Sequence, residues 1–267
     1  MTDIQQLDYG TWQRRGRECI DRVRDALDNG YRHIDTARMY ENETEVGEGI
    51  RASGVPRDQV FLTTKVWYTS LAQGQVRASA EGSLERLGTD HVDLLLIHWP
   101  SPDDTIPVAQ YMTELAEVKS DGLARHIGVS NFTRRHIDEA TAAIGADQIA
   151  TNQVELNVFF PNRKITEHCR ALDIPMTAYI PLAKGDVGSD DVLTDIAEAH
   201  GATPAQIAIA YLLAEGHIAI PSTSKRDRLV ENYGAGRITL TSDEIDRLRG
   251  IGTGTRRVSP EWAPAWD

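Results

Sequence analysis

Cysteine is scarce. The chain of 267 residues has only Cys19 and Cys169. One pair cannot frame a disulfide-stapled fold, and the two read as free thiols of an intracellular protein. Lysine is scarce too, 5 residues against 23 arginines. With an acidic excess, that bias suits a high-salt cytoplasm, and high genomic GC content produces the same bias with no structural cause. No apolar run approaches the roughly 18 residues of a membrane-spanning helix. The opening MTDIQQLDYG lacks the basic-then-apolar pattern of a secretory leader. A cytoplasmic location is therefore expected. The formal net charge of −12 argues against nucleic acid and anionic membranes as partners. No Pro-, Gly- or Ser-rich linker interrupts the chain, so residues 1–267 are expected to form one domain.

Short β-rich apolar runs alternate with longer amphipathic ones. Strand candidates fall at 7–11, 32–35, 60–64, 93–98, 125–129, 149–154, 175–180 and 218–221. Over 76–87, Val76, Ala80, Leu84 and Leu87 share one helical face. Thr203, Pro204 and Gln206 form a helix start with a capping box, and Gly216 is placed to close that helix. Thr241 and Glu244 open a last helix in the same way. Strands alternating with helices imply parallel strands joined by right-handed crossovers. Eight such units in a chain near the ~250 residues usual for the fold predict a closed (β/α)8 TIM barrel. A doubly wound open sheet is the alternative. Residues 251–267 read as a polar surface tail. The Gly47–Ala52 stretch matches G-x-G-x-x-A on paper. It lies inside a helical pattern and not after a strand, so a dinucleotide-binding turn is not expected there.

In such barrels the reactive groups gather at strand C-termini. Asp35, Lys65 and His98 end apolar strands, and Tyr40 follows one by five residues. Each alone has an ordinary explanation: a cap or ion-pair partner for Asp35, a surface lysine, a core histidine, a loop tyrosine. As a set they describe a proton-transfer site. An ammonium near a phenol favours the phenolate and lowers its pKa. On that basis Lys65 is expected to act on Tyr40, Asp35 to hold Lys65, and His98 to orient a substrate oxygen. Such a site protonates an alkoxide developing as hydride reaches a carbonyl carbon. No side chain supplies hydride, so a nicotinamide cofactor is implied. His33, His91, His98 and His126 lack ligand spacing, and no metal is expected.

Several blocks now line up: GTW (10–12), GYRHIDTARMYENETEVGEGI (30–50), LTTKVW (62–67), VDLLLIHWP (92–100), IGVSNF (127–132), NQVE (152–155) and IPSTSKRDRLVEN (220–232). Over nearly its whole length the sequence resembles the aldo-keto reductase family. The resemblance implies a barrel without a Rossmann domain, and Tyr40 as general acid with Lys65, Asp35 and His98 in the roles above. It implies that Ser130, Asn131 and Gln153 hold the nicotinamide carboxamide and that Tyr179 stacks on its ring. Backbone near Leu182 and the Ser222, Thr223 and Ser224 loop would reach the phosphates and ribose, and Arg228 and Asn232 the adenosine end. The family often has lysine where Ser222 stands, so NADPH is expected ahead of NADH with its phosphate grip in question. AYIPL (178–182) places Ile180 where the family often has serine, and the 182–190 loop is short. Trp12, Trp67 and Trp99 are expected to line the substrate pocket, with the 251–267 tail closing one side. The expected substrates are aldehydes and small ketones such as 2,5-diketo-D-gluconate, methylglyoxal or β-keto esters. A monomer is expected, since no pattern marks an obligate interface.

Overall fold

Side chains on a strand alternate between two faces, so a strand buried on both sides needs two apolar sets. The LLLI run at 94–97 supplies both. Leu95 and Ile97 join the large apolar layer under the helices, while Leu94 and Leu96 pack with Ala150 in a small separate cluster inside the sheet. The structure, a computed structural model, describes residues 4–252 and 254–267. Residues 1–3 of the N-terminal segment and residue 253 of the tail, both covered by the expectations above, lie outside the described residues.

The strands are β1 (Tyr9–Gly10), β2 (His33–Asp35), β3 (Phe61–Val66), β4 (Val92–Ile97), β5 (Ala124–Ser130), β6 (Ile149–Glu155), β7 (Met176–Tyr179) and β8 (Ile218–Ile220). They pair in sequential order, every neighbour parallel. The seam between β8 and β1 is joined by Asp8 N–H to Ala219 O (3.0 Å) and Gly10 N–H to Pro221 O (3.1 Å). A doubly wound sheet reverses strand order partway. This sheet does not, and it curls back on itself as a barrel. The expected strands are all present, with ends shifted by a few residues. Lys65 lies within β3 and not beyond it, and Tyr40 sits on a short 3₁₀ turn, Arg38–Tyr40, after β2.

Among the described residues ten α-helices flank the sheet: α1 (Gly16–Asp28), α2 (Glu43–Ser53), α3 (Gln75–Leu87), α4 (Val108–Ser120), α5 (Arg134–Ile144), α6 (Arg163–Ala171), α7 (Asp191–His200), α8 (Pro204–Ala214), α9 (Arg226–Gly234) and α10 (Ser242–Gly250). Val76, Ala80, Leu84 and Leu87 are the buried apolar face of α3. Thr203 and Gln206 cap α8 reciprocally, as Thr241 and Glu244 cap α10. Gly216, at φ +83°, follows α8 and donates its N–H to Leu213 O (3.0 Å). Among the described residues no helix is long and apolar enough to cross a membrane.

The Gly47–Ala52 stretch lies inside α2. Its glycines are there for close packing. A Cβ on Gly49 would meet Val23 Cβ of α1 at 2.7 Å, and one on Gly47 would collide with the backbone oxygen of Leu87 in α3. Helix propensity alone favours alanine over glycine by about 1 kcal/mol. Gly47→Ala is nevertheless expected to lower unfolding free energy by about 1–3 kcal/mol in urea titration, because the opposing atom is backbone and cannot swing away.

Candidate functional site

Two neighbouring strands set the centre of the site. The β2–β3 register pairs Asp35 with Thr63, so Lys65 stands two residues further along on the same face. Lys65 is fully buried, and its Nζ donates to Asp35 Oδ1 (2.5 Å) and to Thr36 O (2.9 Å). The second Asp35 oxygen accepts from Gln153 Nε2 at 2.9 Å. Each charge therefore has a partner and each partner is positioned by a strand. The Lys65 ammonium lies 5.2 Å from the centre of the Tyr40 ring. Tyr40 and His98 meet edge to face at 5.7 Å between ring centres, and Trp67 stands 5.0 Å from His98.

Asn131 follows β5 in the left-handed region, at φ +61°, a conformation asparagine tolerates better than most residues. There its Nδ2 donates to His98 O (3.0 Å) and Ser130 Oγ (3.1 Å), and its Oδ1 accepts from the Tyr179 hydroxyl (2.7 Å). Ser130 Oγ donates to Gln153 O at 2.8 Å. One hydrogen-bond network thus runs from β2 to β7.

Above this floor opens a cavity of about 760 Å³. Asp35, Tyr40, His98, Asn131, Gln153, Tyr179, Leu182, Ser222 and Arg228 line it, as do all three expected tryptophans, Trp12, Trp67 and Trp99. Lys65 lies behind the wall. Ser130 is buried beneath it and acts on the lining through Asn131 and Gln153. Thr223, Ser224 and Asn232 are not part of the wall. Thr223 Oγ1 accepts from Lys225 N–H (3.1 Å), and Asn232 is buried within α9. Among the described residues no three His, Cys, Asp or Glu side chains gather as a metal site.

The electrostatics correct one expectation. Burial pushes the Tyr40 phenol well above its ordinary range, and the Asp35 carboxylate pushes the same way. This is opposite to the depression expected from Lys65. Burial decides the direction, and the Asp35 carboxylate that pairs with the ammonium acts on the phenol in the opposite sense to it. Tyr40 therefore holds its proton. Burial, and then the Lys65 charge, hold His98 well below its usual range. The imidazole is neutral, with one N–H to donate, and its Nδ1 is buried without a protein partner.

The sequence reading missed Glu155 and most of the tail's detail. Glu155 ends β6 with no exposure. Its carboxylate accepts from the backbone N–H groups of Arg257 (2.9 Å) and Val258 (2.7 Å). The Arg257 guanidinium reaches Asp186 at 2.7 Å. Trp262 then packs on Trp67 and Trp99, with ring centres 5.6 and 5.0 Å apart, and Arg257, Val258, Ser259, Pro260 and Trp262 join the cavity wall. The signal was present: a glutamate at the end of a strand buried along its whole length requires a partner.

The barrel and this rim place the protein in a known class. The aldo/keto reductase family profile matches residues 6–253, and the chain belongs to that family of oxidoreductases. It is 43% identical over 259 residues to the methylglyoxal reductase DkgB of Salmonella typhi, covering 97% of each chain. It is 36% identical over 245 residues to a glyoxal reductase of Bacillus subtilis, covering 92% of this chain and 87% of the relative. A solved structure provisionally named as a 2,5-diketo-D-gluconic acid reductase B superposes with a TM-score of 0.94 at 40% identity, covering 100% of this chain and 95% of the other.

Glu155→Gln turns one acceptor oxygen into a donor facing backbone N–H groups. It is expected to release the tail at a cost of about 1.5–3 kcal/mol, the worth of hydrogen bonds to a charged group. Faster amide hydrogen exchange at Arg257 and Val258, with the barrel amides unchanged, is the measurement that checks this.

Proposed function

We propose that the protein reduces aldehydes and small ketones with a nicotinamide cofactor, and that Tyr40 protonates the developing alkoxide. The observation that carries the proposal is the Tyr40 phenol and the His98 imidazole, edge to face on one cavity floor, with the buried Lys65–Asp35 pair behind them. A phenol that keeps its proton at neutral pH has one to give, and its raised pKa makes a cation beside the nascent phenolate the more necessary. When the proton leaves for the substrate oxygen, the Lys65 ammonium is the cation nearest the new phenolate and limits its cost. The His98 N–H orients the same oxygen. The tryptophan-lined wall excludes water around it, which strengthens both interactions.

The residues at the floor and far end suit a nicotinamide dinucleotide. Side-chain amides of Asn131 and Gln153 face the cavity, where the carboxamide needs both donors and acceptors. Tyr179 offers a ring face fixed by its bond to Asn131. Exposed Ser222 and Arg228 lie at one end of the wall, where phosphates would be held, with Thr223, Ser224 and Asn232 behind them. The cofactor would supply the hydride. Arg228 supports NADPH ahead of NADH, because a guanidinium matches a phosphate in geometry and charge. The relatives named as methylglyoxal and glyoxal reductases support small dicarbonyl compounds as substrates, with 2,5-diketo-D-gluconate and β-keto esters as further candidates.

A panel of these carbonyl compounds, run with NADPH and NADH in parallel, tests the reading. Tyr40→Phe is expected to lower kcat by about 10²–10⁴, the usual worth of a general acid. Absence of turnover with every compound, or an unaffected Phe variant, would sink the proposal. Arg228→Ala should raise KM for NADPH about tenfold, equivalent to one charge-assisted hydrogen bond, and leave KM for NADH nearly unchanged. Since His98 is held neutral and Tyr40 protonated, kcat for reduction should be flat through neutral pH and fall only on the alkaline side.

A further inference from the structure

Beneath the Lys65–Asp35 pair lies a second acid that the reaction above does not use. The β1–β2 register pairs Gly10 with Asp35 and Tyr9 with Ile34. One step further back places Asp8 beside His33, two residues below Gly10 and Asp35 on the same inward face. Asp8 has no solvent exposure, and no well-formed hydrogen bond reaches its carboxyl oxygens, although the backbone N–H groups of Tyr9 and Asp35 lie near enough to favour its charged form in part. His33 is 2% exposed, and its Nε2 lies 3.3 Å from Asp8 Oδ2 and 2.8 Å from Thr63 Oγ1. Its other nitrogen, Nδ1, lies 3.4 Å from Gln5 O, which can only accept. Nδ1 therefore carries a hydrogen, and in the neutral ring Nε2 is the acceptor. The Thr63 hydroxyl can donate to that acceptor, and a proton on the facing Asp8 carboxyl removes the repulsion that a carboxylate would meet there.

We propose that Asp8 is a positioning residue for proton delivery at Tyr40, sharing one proton with His33 so that Lys65 faces a single carboxylate, that of Asp35. The inference rests on the role given to Tyr40 above. The charged groups acting here are Asp8 from β1, His33 and Asp35 from β2, Lys65 from β3 and, acting on His33, Asp93 from β4. β8 offers only the Ala219 carbonyl at this seam, which accepts the Asp8 N–H. Lys65 is the one cation among them. Were Asp8 ionised beside a neutral His33, two carboxylates would share the field of that ammonium, and the phenolate formed at Tyr40 would lose support.

Two further observations agree. Burial, and then the Asp35 charge, push the Asp8 carboxyl well above its ordinary range, while burial holds His33 down to about 4. The Asp8 charge also acts on Tyr40. An acid with a raised pKa takes up a proton on folding above its unfolded pKa of about 3.9. Its contribution is fullest in acid and is lost as pH rises toward the folded value. Asp8 therefore burdens the fold at neutral pH, and a neutral isostere would not.

Infrared spectroscopy of the intact protein at neutral pH tests the proton directly. A protonated-carboxyl C=O band is expected in the wild type and absent from Asp8→Asn, which should also show a higher Tm at neutral pH than in acid relative to wild type. In turnover, the alkaline limb of kcat, normalised to its neutral value, should move up by about one pH unit or more in Asp8→Asn. A wild type without the band, or an active pair with superimposed pH profiles, overturns the inference. If Asp8→Asn does not fold, His33→Gln must shift the frequency of the band, and a stationary band is the overturning result. Failure of the Tyr40 reading would look different: no turnover by wild type, with the band still present or absent on its own account.

Discussion

The buried ion pair between Lys65 and Asp35 is the constraint on which the rest of the site depends. Both side chains are out of water, and removing two charges from solvent costs several kcal/mol per ion in real proteins. Coulomb attraction offsets this only where every remaining donor and acceptor is satisfied. Thr36 O takes a further ammonium hydrogen, and Gln153 takes the second carboxylate oxygen. Gln153 comes from β6, across the barrel from β2. Its backbone oxygen in turn accepts from Ser130 Oγ and Asn131 N. The pair thereby ties the registers of β2, β3, β5 and β6 to one arrangement. A slip in any of them would strand a charge, so the chemistry and the fold share the same requirement.

The rim is completed by chain far away in sequence. Glu155 is buried, and backbone N–H groups of the tail hold its carboxylate. That choice makes the tail part of the barrel mouth. Arg257 then joins it to Asp186 in the short segment after β7. This segment is also where backbone strain collects. Ile180, Ala183 and Lys184 all have φ between 48° and 60°, a region costly for a β-branched residue such as Ile180. Strain of this kind persists where surrounding contacts over-determine the conformation, and it clusters beside binding sites.

The barrel was legible because its signals are local. Each strand announces itself by an apolar run, each helix by its period and caps, and eight alternations leave few topologies. Asp35, Lys65 and His98 were legible for the same reason, since a charged or polar residue at the end of a buried run is a local anomaly. The tail was not. Its contacts span about a hundred residues, from Glu155 to Arg257, and a stretch with Pro260 and Pro264 has no periodicity to betray which residues face inward. Asp8 was hidden differently. Within the 7–11 run it looks like an ordinary strand-edge acid, and only the inter-strand register shows that it points into the barrel beside His33. The direction in which Tyr40 is shifted was misjudged because spacing shows that Lys65 is near but not that burial decides the direction.

The overall charge gains meaning from the cavity. A chain with net charge −12 repels anions on average, yet four cationic side chains line this cleft, Arg14, Lys184, Arg228 and Arg257. Asp35 is the one acid in the wall, and it is already paired. Arg14 and Arg257 are engaged by Glu18 and Asp186. Among the described residues Lys184 and Arg228 take part in no ion pair, so their charge is directed at whatever enters. A positive cleft with low-dielectric walls in an otherwise negative surface concentrates field lines at its mouth. The absence of lysine at Ser222 therefore does not leave the cleft without a cation for phosphate. Under the proposed reading that task would fall to Arg228 on α9, an exposed guanidinium in the cavity wall.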